Sequence, residues 1–421
     1  MGIDVISIII FAACIILFVI DKLPMGTTAI LGCVAMVIFG VCDFKTAFGQ
    51  MASNTVVLTI GVMMIGAAIS ETGLASSVGS WIIRVSKGSE TKLIIGTYIV
   101  SALMSAFLTN SAVLAVFIPI IMGLSRAGEI KGKNLIMPIA IGCVLGGTAT
   151  LVGSTQQMTA QGLLEDAGAR LFKTFDFTPI GGIIVLSGLI YCLTIGRTLA
   201  KKIWGDSEEN SEYEHKGEVK EYKKSKMIIV AVIFAATVVF YITEWLPLAI
   251  TSTCAALLCI ITGCITQKKA VASVNWDIVG RLAGCLGIAK ALEAAGGTKL
   301  IALGFRNIIG TSISPYLLFC ILVLLVLVTS QFISNSTAIM IVLPILLSIA
   351  PEMGLNTYAY AIGITIASGT ALSCPLASST LGMSMVVGYK FNDYFKHNFI
   401  LDVINYILII ILVPLFYGLT V

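Results

Sequence analysis

The sequence predicts an all-α polytopic membrane protein made of two inverted repeats, each with five transmembrane helices and one re-entrant hairpin. Three observations support this fold class. The 421 residues are 57% hydrophobic and 11% charged, whereas a soluble domain carries about 25% charged residues. Apolar segments of roughly 17–25 residues, enough to cross a bilayer as helices, recur along the chain. A polar triplet inside an apolar run occurs twice, 225 residues apart.

The doubled triplet is the best-preserved part of an internal repeat. Residues 105–120 read SAFLTNSAVLAVFIPI, and residues 330–345 read SQFISNSTAIMIVLPI. At the fixed offset six positions are identical, and they include both asparagines, the serine that follows each of them and one proline in each run. A single hydroxyl or amide within a span usually bonds its own helix or a neighbouring one. Two asparagines at matched positions of a repeat favour a functional role instead.

The triplets separate apolar arms that are near or below the length a span needs. We therefore predict re-entrant hairpins at about 93–125 and 315–350. Non-helical backbone at such a tip must be buried in protein or line a watery cavity. The ten predicted spans lie at about 4–20, 26–42, 54–71, 134–150, 178–196, 226–243, 247–264, 277–294, 357–373 and 399–418.

Two further segments interrupt an apolar span in corresponding places. Residues 147–158 read GTATLVGSTQQM, and residues 369–383 read GTALSCPLASSTLGM. We predict broken helices at about 134–166 and 357–390. Paired interruptions of this kind are typical of the binding site of a transporter built from repeats.

The distribution of basic residues predicts the orientation in the membrane. With the polar loop 197–225 in the cytoplasm, 19 of the 26 Lys and Arg residues lie inside, as the positive-inside rule requires. The repeats are then 1–196 and 226–421, and 197–225 is a cytoplasmic linker. An odd number of spans in each repeat makes the two repeats inverted. We expect a multi-pass protein of the plasma membrane, with the first apolar segment retained as a span.

The polar groups at the four interruptions suit two kinds of ligand. Free carbonyls, hydroxyls and amide oxygens suit a hard cation such as sodium, and N–H groups at helix N-termini suit an anion. The triplets and breaks contain no Lys or Arg. We therefore expect dipoles and bound sodium, and not a fixed cationic side chain, to hold the anion. Asp277 and Arg281, one helical turn apart, are expected to pair with each other.

Other classes of protein fit the sequence less well. The 11 cysteines lie mostly in apolar segments and form no CxxC pair, so we interpret them as buried apolar residues. An intramembrane hydrolase needs a nucleophile with a positioned base, and no His lies in a predicted span. A cation/proton antiporter would need a carboxylate in the hairpins, and a channel would not need doubled inverted hairpins. The sequence predicts a non-enzyme with no nucleic-acid partner.

The triplets TNS and SNS, each leading to a PI pair, resemble the divalent anion:sodium symporter family, the INDY-type dicarboxylate transporters of the ion transporter superfamily. The resemblance covers most of both halves. It implies an elevator transporter, usually a homodimer, coupled to Na+. The implied anion site comprises Thr109, Asn110, Ser111, Ser334, Asn335 and Ser336, with Ser154, Thr155, Ser379 and Thr380 nearby. The implied first sodium site comprises Ser105, Thr109, Asn110 and the Gly153 carbonyl. The implied second sodium site comprises Ser330, Ile333 through its carbonyl, Asn335 and the backbone near Ala377.

The helix breaks depart from that family's pattern. The family commonly places Pro-Pro-Asn after each break, whereas the chain has Gly-Ser-Thr-Gln-Gln at 153–157 and Ala-Ser-Ser-Thr-Leu at 377–381. Several members also have one more N-terminal span, which would place this N-terminus outside. The leading hypothesis is sodium-coupled import of a small divalent organic anion such as a C4 dicarboxylate. The alternatives are a sodium-independent exchanger, a transporter of a sulfate-like oxyanion and, third, a cation/proton antiporter.

Overall fold

A computed structural model describes residues 2–20, 22–86, 89–126, 131–204, 222–297, 300, 313–376 and 378–420. The named regular elements in these ranges are all helices, as the sequence predicts. The first half contains α1 (Ile3–Ile20), α2 (Met25–Ile38), α3 (Phe44–Phe48), a short 3-10 turn (Gly49–Ala52), α4 (Asn54–Glu71), α5 (Leu74–Ser86), α6 (Glu90–Ser105), α7 (Asn110–Arg126), α8 (Gly132–Gly147), α9 (Thr155–Asp166), α10 (Thr178–Leu193) and α11 (Ile195–Trp204).

The described elements of the second half follow a similar order, without named counterparts of α5 and α11. It contains α12 (Lys224–Thr243), α13 (Leu248–Ile261), α14 (Gln267–Ala272), α15 (Trp276–Ala294), α16 (Pro315–Thr329), α17 (Asn335–Met353), α18 (Thr357–Gly369), α19 (Ser379–Ser384), a 3-10 turn (Met385–Val387) and α20 (Phe391–Tyr417). Contacts between the halves are reciprocal. Helix α2 packs on α15 while its counterpart α13 packs on α4, and α9 packs on α17 while α19 packs on α7.

The helices form two bundles. The frame bundle consists of α1–α4 and α12–α15, with α2 against α15 and α4 against α13 as its main contacts. The hairpin bundle consists of α6–α11 and α16–α20, and it packs around α8 and α18, whose residues are almost all buried. Helix α5 contacts both bundles, and α9 of the hairpin bundle contacts α4 and α15 of the frame bundle. The interruptions of the apolar segments therefore lie where the two bundles meet.

The predicted hairpins and breaks have a local physical cause. Each hairpin consists of two helices joined by a four- or five-residue tip, 106–109 or 330–334, and the arms contact each other. Ser334 caps α17 by accepting a hydrogen bond from Thr337 N at 3.3 Å, and Ser378 caps α19 in the same way. Ser154 and Ser378, the residues before α9 and α19, share an extended backbone, with φ −146° and −145°. Serine favours an N-cap because its oxygen can satisfy an orphan N–H; Ser378 does so for α19, whereas Ser154 makes no such bond to α9.

The structure corrects several predicted boundaries. Helix α5 was not predicted, because its apolar stretch is shorter than a span. The predicted linker 197–225 begins as helix α11, which bends by 48° from α10; residues 205–221 of that linker lie outside the described residues. Helix α20 begins at Phe391 and not at 399, because Asp393 accepts a hydrogen bond from Lys390 N at 2.9 Å and so caps the helix.

By length and composition, three of the described helical segments can cross a membrane alone: Phe44–Glu71, Lys224–Thr243 and Phe391–Tyr417. The bent pair of α10 and α11 makes a fourth if it counts as one span. Seven shorter apolar helices of 10–17 residues accompany them. Three of these seven are arms of the predicted hairpins, α7, α16 and α17. The ten predicted spans correspond to α1, α2, α4, α8, α10, α12, α13, α15, α18 and α20.

The contact between α6 and α8 depends on glycine. A Cβ at Gly146 would lie 2.3 Å from the Ala102 carbonyl oxygen, so the two helix backbones touch there. We expect Gly146→Ala to lower the free energy of unfolding by about 1–3 kcal/mol through overpacking and to lower the Tm in detergent. Gly182→Ala in α10 is the control, because its Cβ would meet nothing within 4 Å. A wild-type Tm for Gly146→Ala would contradict this packing.

Candidate functional site

A cavity of about 300 Å³ lies between the two bundles. All ten residues predicted for the anion site line it: Thr109, Asn110, Ser111, Ser154, Thr155, Ser334, Asn335, Ser336, Ser379 and Thr380. The two hairpin tips and the two helix breaks thus meet at one place, although the two tips lie 225 residues apart in the chain. A volume at the lower end of the range for ligand pockets suits a small ligand.

Four helices begin at this cavity. Asn110, Thr155, Asn335 and Ser379 are the first residues of α7, α9, α17 and α19, and each lines the cavity. The first N–H groups of a helix have no partner within the helix, and the helix dipole places a partial positive charge there. The four helix N-termini therefore provide donors and positive potential for an anion, as the sequence predicted from the paired interruptions.

Hydrogen bonds across the cavity join the two halves reciprocally. Ser111 of the first hairpin shares a 2.8 Å hydrogen bond with Ser379 at the second break. Ser336 of the second hairpin donates to Thr155 at the first break at 3.0 Å. Each hairpin tip is therefore bonded to the break of the other half, and the hydroxyls that an anion would contact are held in one arrangement.

Oxygen atoms converge around the amide of Asn110. Its Oδ1 accepts from Ser105 Oγ at 2.6 Å, and the carbonyl oxygens of Cys143 and Gly153 lie 3.3 Å from the same amide position. Several oxygens facing one another suit a hard cation. With its nitrogen turned inward, Asn110 would donate to the same groups. Gly147 makes the approach possible, since a Cβ there would lie 2.4 Å from Asn110 Oδ1.

The matched position in the second hairpin also offers oxygen atoms. Ser330 Oγ and Asn335 Oδ1 are buried and have no hydrogen-bond partner among the described residues. A buried polar atom without a partner is costly unless a ligand or water satisfies it. Ser105, Gly153, Ser330 and Asn335 therefore fit the oxygen donors expected of two sodium sites. Ile333 lies in the same tip, and Ala377 is outside the described residues.

A buried carboxylate ties the second hairpin to the second break. Asp402 of α20 accepts from Gln331 Nε2 at 2.7 Å and from the backbone N–H groups of Leu372 and Ser373, each at 3.0 Å. Ser373 Oγ donates to the same carboxylate. This anchor lies outside the residues that the sequence predicts for the site. The sequence feature that could have revealed it is Asp402 itself, which lies inside the predicted span 399–418. Intramembrane carboxylates commonly mark functional or structural sites.

The frame bundle contributes two charged residues to the cavity, Asp277 and Arg281. Arg281 lines the cavity and donates from Nη1 to Ser334 Oγ at 2.9 Å. Asp277, which also lines the cavity, accepts from Gly26 N at 2.8 Å. Each side chain therefore makes its hydrogen bond to another partner, although Asp277 still acts on Arg281 electrostatically. The triplets and breaks themselves contain no cation, but a helix from the other bundle brings the Arg281 guanidinium to the cavity wall.

Comparison with known proteins places the chain among transporters. A sequence profile described as "Citrate transporter" matches residues 15–314 and 238–420. An uncharacterized transporter of Synechocystis is 30% identical over 218 residues, which is 51% of this chain and 35% of that protein. Sodium/sulfate cotransporter 1 of Chlamydomonas reinhardtii is 28% identical over 168 residues, which is 36% of this chain and 19% of that protein. The matched segments thus span about a third or less of these two relatives.

The fold also resembles that of a solved transporter. The YdaH transporter of Alcanivorax borkumensis superposes with a TM-score of 0.61 at 15% sequence identity, over 89% of this chain and 88% of that chain. At this identity the likeness concerns the fold alone. It agrees with the all-helical transporter architecture that the sequence predicts.

Proposed function

The chain belongs to the citrate transporter family of the ion transporter superfamily, and on this premise we propose that it imports a small divalent organic anion, a C4-type dicarboxylate or a related compound, together with sodium. Membership of the family confirms the resemblance that the two triplets indicated and makes the chain a secondary transporter of a membrane. One observation supports the substrate proposal above all. Four helix N-termini and one arginine surround a cavity whose two hairpin tips also present clustered oxygen atoms.

The positive groups favour an anionic cargo. The helix N-termini supply N–H donors, and Arg281 supplies two donors in a plane that matches a carboxylate. Asn110 and Asn335 can serve both ligands, because an amide oxygen coordinates a cation while the amide nitrogen donates to an anion. Sodium bound at the oxygen clusters would place positive charge beside the anion. Coupling follows from this proximity, since each ion stabilises the other.

Sulfate is the second candidate. A relative in Chlamydomonas reinhardtii bears the name sodium/sulfate cotransporter, and the breaks lack the Pro-Pro-Asn of the dicarboxylate transporters. Four N-termini around a small cavity would also suit a tetrahedral oxyanion. Arg281 can bind either ligand, so the cavity walls alone do not decide between carboxylate and sulfate. Sodium-independent exchange, which would use the asparagines for the anion alone, is the remaining alternative for the mechanism.

We propose the transport cycle from the two-bundle architecture. Residues 1–196 and 226–421 form inverted repeats in the plasma membrane, and 197–225 links them in the cytoplasm. The hairpin bundle carries anion and sodium across the membrane as an elevator, while the frame bundle stays fixed and forms a homodimer. The reciprocal contacts between the halves support the repeat, and the resemblance to divalent anion:sodium symporters supports the elevator and the dimer.

A ligand panel tests this function. Purified protein in proteoliposomes is offered succinate, malate, 2-oxoglutarate, citrate and sulfate, each with sodium or with potassium alone. We expect saturable uptake of a dicarboxylate that requires a sodium gradient and can run uphill, because both oxygen clusters must be filled before the anion binds well. A shift in Tm on adding the same ligand gives an independent measure of binding.

Each other outcome selects a different function. Equal uptake in both salts would indicate exchange without sodium. Uptake of sulfate alone would establish the second candidate. Flux that neither saturates nor runs uphill would indicate a channel, and no response to any of the five anions would overturn the proposal. Liposomes without protein are the control for leakage.

A further inference from the structure

Arg281 is the cationic residue of the cavity, and it belongs to the frame bundle. Among the lining residues in the described part of the chain, Asp277 and Arg281 carry formal charge. Both lie on α15, which packs on α2, α3 and α1. The predicted anion contacts lie instead on α7, α9, α17 and α19 and on the residues that precede them, all in the hairpin bundle. The cavity is thus shared between two bundles that carry different parts of its chemistry.

The contact of Arg281 bridges the two bundles. Its Nη1 donates to Ser334 Oγ at 2.9 Å, and Ser334 is the N-cap of α17 at the second hairpin tip. A second contact from Nη1 reaches Met25 Sδ at 3.3 Å, within the frame bundle. Asp277 is hydrogen-bonded to Gly26 N and is exposed, so its charge is screened by solvent. The guanidinium therefore faces the hairpin tip, with Asp277 one helical turn away as the carboxylate that acts on its charge.

We propose that Arg281 makes the affinity for the anion different on the two sides of the membrane. This inference rests on the proposed elevator function. When the hairpin bundle moves, the helix N-termini and oxygen clusters travel with the anion, but Arg281 stays with the frame. The anion contacts the guanidinium in the state described here and loses it in the other state. Binding is tight on one side and release is favoured on the other.

The size of the asymmetry follows from the strength of such a contact. A hydrogen bond to a charged partner changes affinity by about 10- to 100-fold when it is lost. The ligand chemistry is that of a carboxylate or sulfate group able to accept two donors from a guanidinium. A lysine at position 281 keeps the charge but not the planar pair of donors. It should therefore retain part of the difference in anion affinity between the two sides of the membrane.

The test compares the two faces of the membrane. Right-side-out and inside-out vesicles are prepared from cells expressing the wild type, Arg281→Gln or Arg281→Lys. The half-saturating concentration of radiolabelled succinate, or of sulfate where succinate is not carried, is measured at saturating sodium. We expect the wild type to differ between faces by about 10- to 100-fold. Arg281→Gln should weaken binding at the high-affinity face and leave the other face within about twofold, and Arg281→Lys should fall between.

Matched controls separate this effect from loss of fold or charge. Lys268→Gln removes one positive charge from α14, at an exposed position of the frame bundle that does not line the cavity; it should keep wild-type values at both faces. Equal weakening at both faces in Arg281→Gln would overturn the inference, because Arg281 would then travel with the anion. Unchanged values at both faces would also overturn it. Absence of uptake of either anion by the wild type would instead overturn the proposed function.

Discussion

Asn335→Ala should reduce sodium-dependent uptake by about 100-fold, the effect of losing hydrogen bonds or ligands to charged groups. Asn335 is the first residue of α17 and lines the cavity. Its Oδ1 is buried with no hydrogen-bond partner among the described residues, and the same holds for Ser330 Oγ at the start of the same tip. Alanine removes an oxygen from the proposed second sodium site and a donor from the anion site at once. Sodium and anion affinities should therefore fall together.

Asn110→Ala is the matched variant in the first half. Its amide lies 2.6 Å from Ser105 Oγ and 3.3 Å from the carbonyl oxygens of Cys143 and Gly153, and with the nitrogen turned toward them it donates to all three. The repeat predicts a similar loss of uptake, measured as initial rates in proteoliposomes over a series of sodium concentrations. Each single variant should weaken the response to sodium and lower its cooperativity, since one of two cation sites remains.

Asn405→Ala is the control for removing a buried amide. Asn405 lies on α20, is fully buried and has neither amide atom bonded to a described residue, but it does not line the cavity. It should keep its sodium response even if its Tm falls. Wild-type sodium dependence in both Asn110→Ala and Asn335→Ala would contradict a function centred on the triplets.

The hairpin tips could be found from the sequence because their signal is local and doubled. An amide flanked by hydroxyls within an apolar arm contrasts with its surroundings. The same contrast recurs at Asn335, 225 residues after Asn110, together with other identical positions at that offset. The breaks before α9 and α19 could be located for the same reason. Each combines glycine, serine and threonine within an apolar span, which are the residues that end one helix and cap the next.

Arg281 could not be assigned from the sequence. Its position in the cavity depends on how α15 packs against α2 and how the frame bundle meets the hairpin bundle, and no periodicity within one helix encodes those contacts. Its spacing from Asp277 suggests a local hydrogen-bonded pair. Instead, Asp277 accepts from Gly26 and Arg281 donates to Ser334, both distant in the chain. An intramembrane arginine nevertheless marks a candidate functional site on energetic grounds alone.

The start of α20 was missed for a different reason. Residues 391–398 lie between the predicted broken helix 357–390 and the predicted span 399–418, and their charged and amide side chains are typical of a loop. Two of them are buried: His397 contacts the Gly196 carbonyl oxygen, and Asn398 donates to the Leu372 carbonyl oxygen at 2.9 Å. The polar face of the helix packs on α11 and on the second break. A run of polar side chains therefore predicts solvent exposure only where no unpaired backbone carbonyl or N–H group of a neighbouring segment is close enough to hydrogen-bond with them.

Covalent linkage of Gln50 to Asp166 should abolish transport while leaving anion binding intact. Gln50 Nε2, in the frame bundle, donates to Asp166 Oδ1 at the end of α9 at 2.7 Å. Two more contacts join the same surfaces: Asn54 donates to Glu165 at 2.6 Å, and Lys290 donates to the Asp166 carbonyl oxygen at 3.0 Å. In an elevator these contacts must break each time the hairpin bundle moves. A covalent link cannot break, so the cycle stops in this state.

The linkage is made in Gln50→Cys/Asp166→Cys with a short bifunctional thiol reagent, and uptake is measured together with the shift in Tm on adding the anion. The native cysteines of the described residues are mostly buried, with Cys254 exposed, so each single variant receives the same reagent as a background. Glu90→Cys/Asn134→Cys is the matched control. These side chains are hydrogen-bonded at 2.8 Å, but both lie within the hairpin bundle.

The two pairs should therefore respond differently to equal yields of cross-link. The Gln50–Asp166 link should reduce uptake to the level of liposomes without protein, because it joins a moving bundle to a fixed one. The Glu90–Asn134 link should leave uptake near that of its unlinked form, because both ends move together. Continued uptake through a fully linked Gln50–Asp166 pair would show that α9 does not leave the frame bundle. The frame would then have to move with its cargo, or transport would have to proceed by local opening of the hairpin tips.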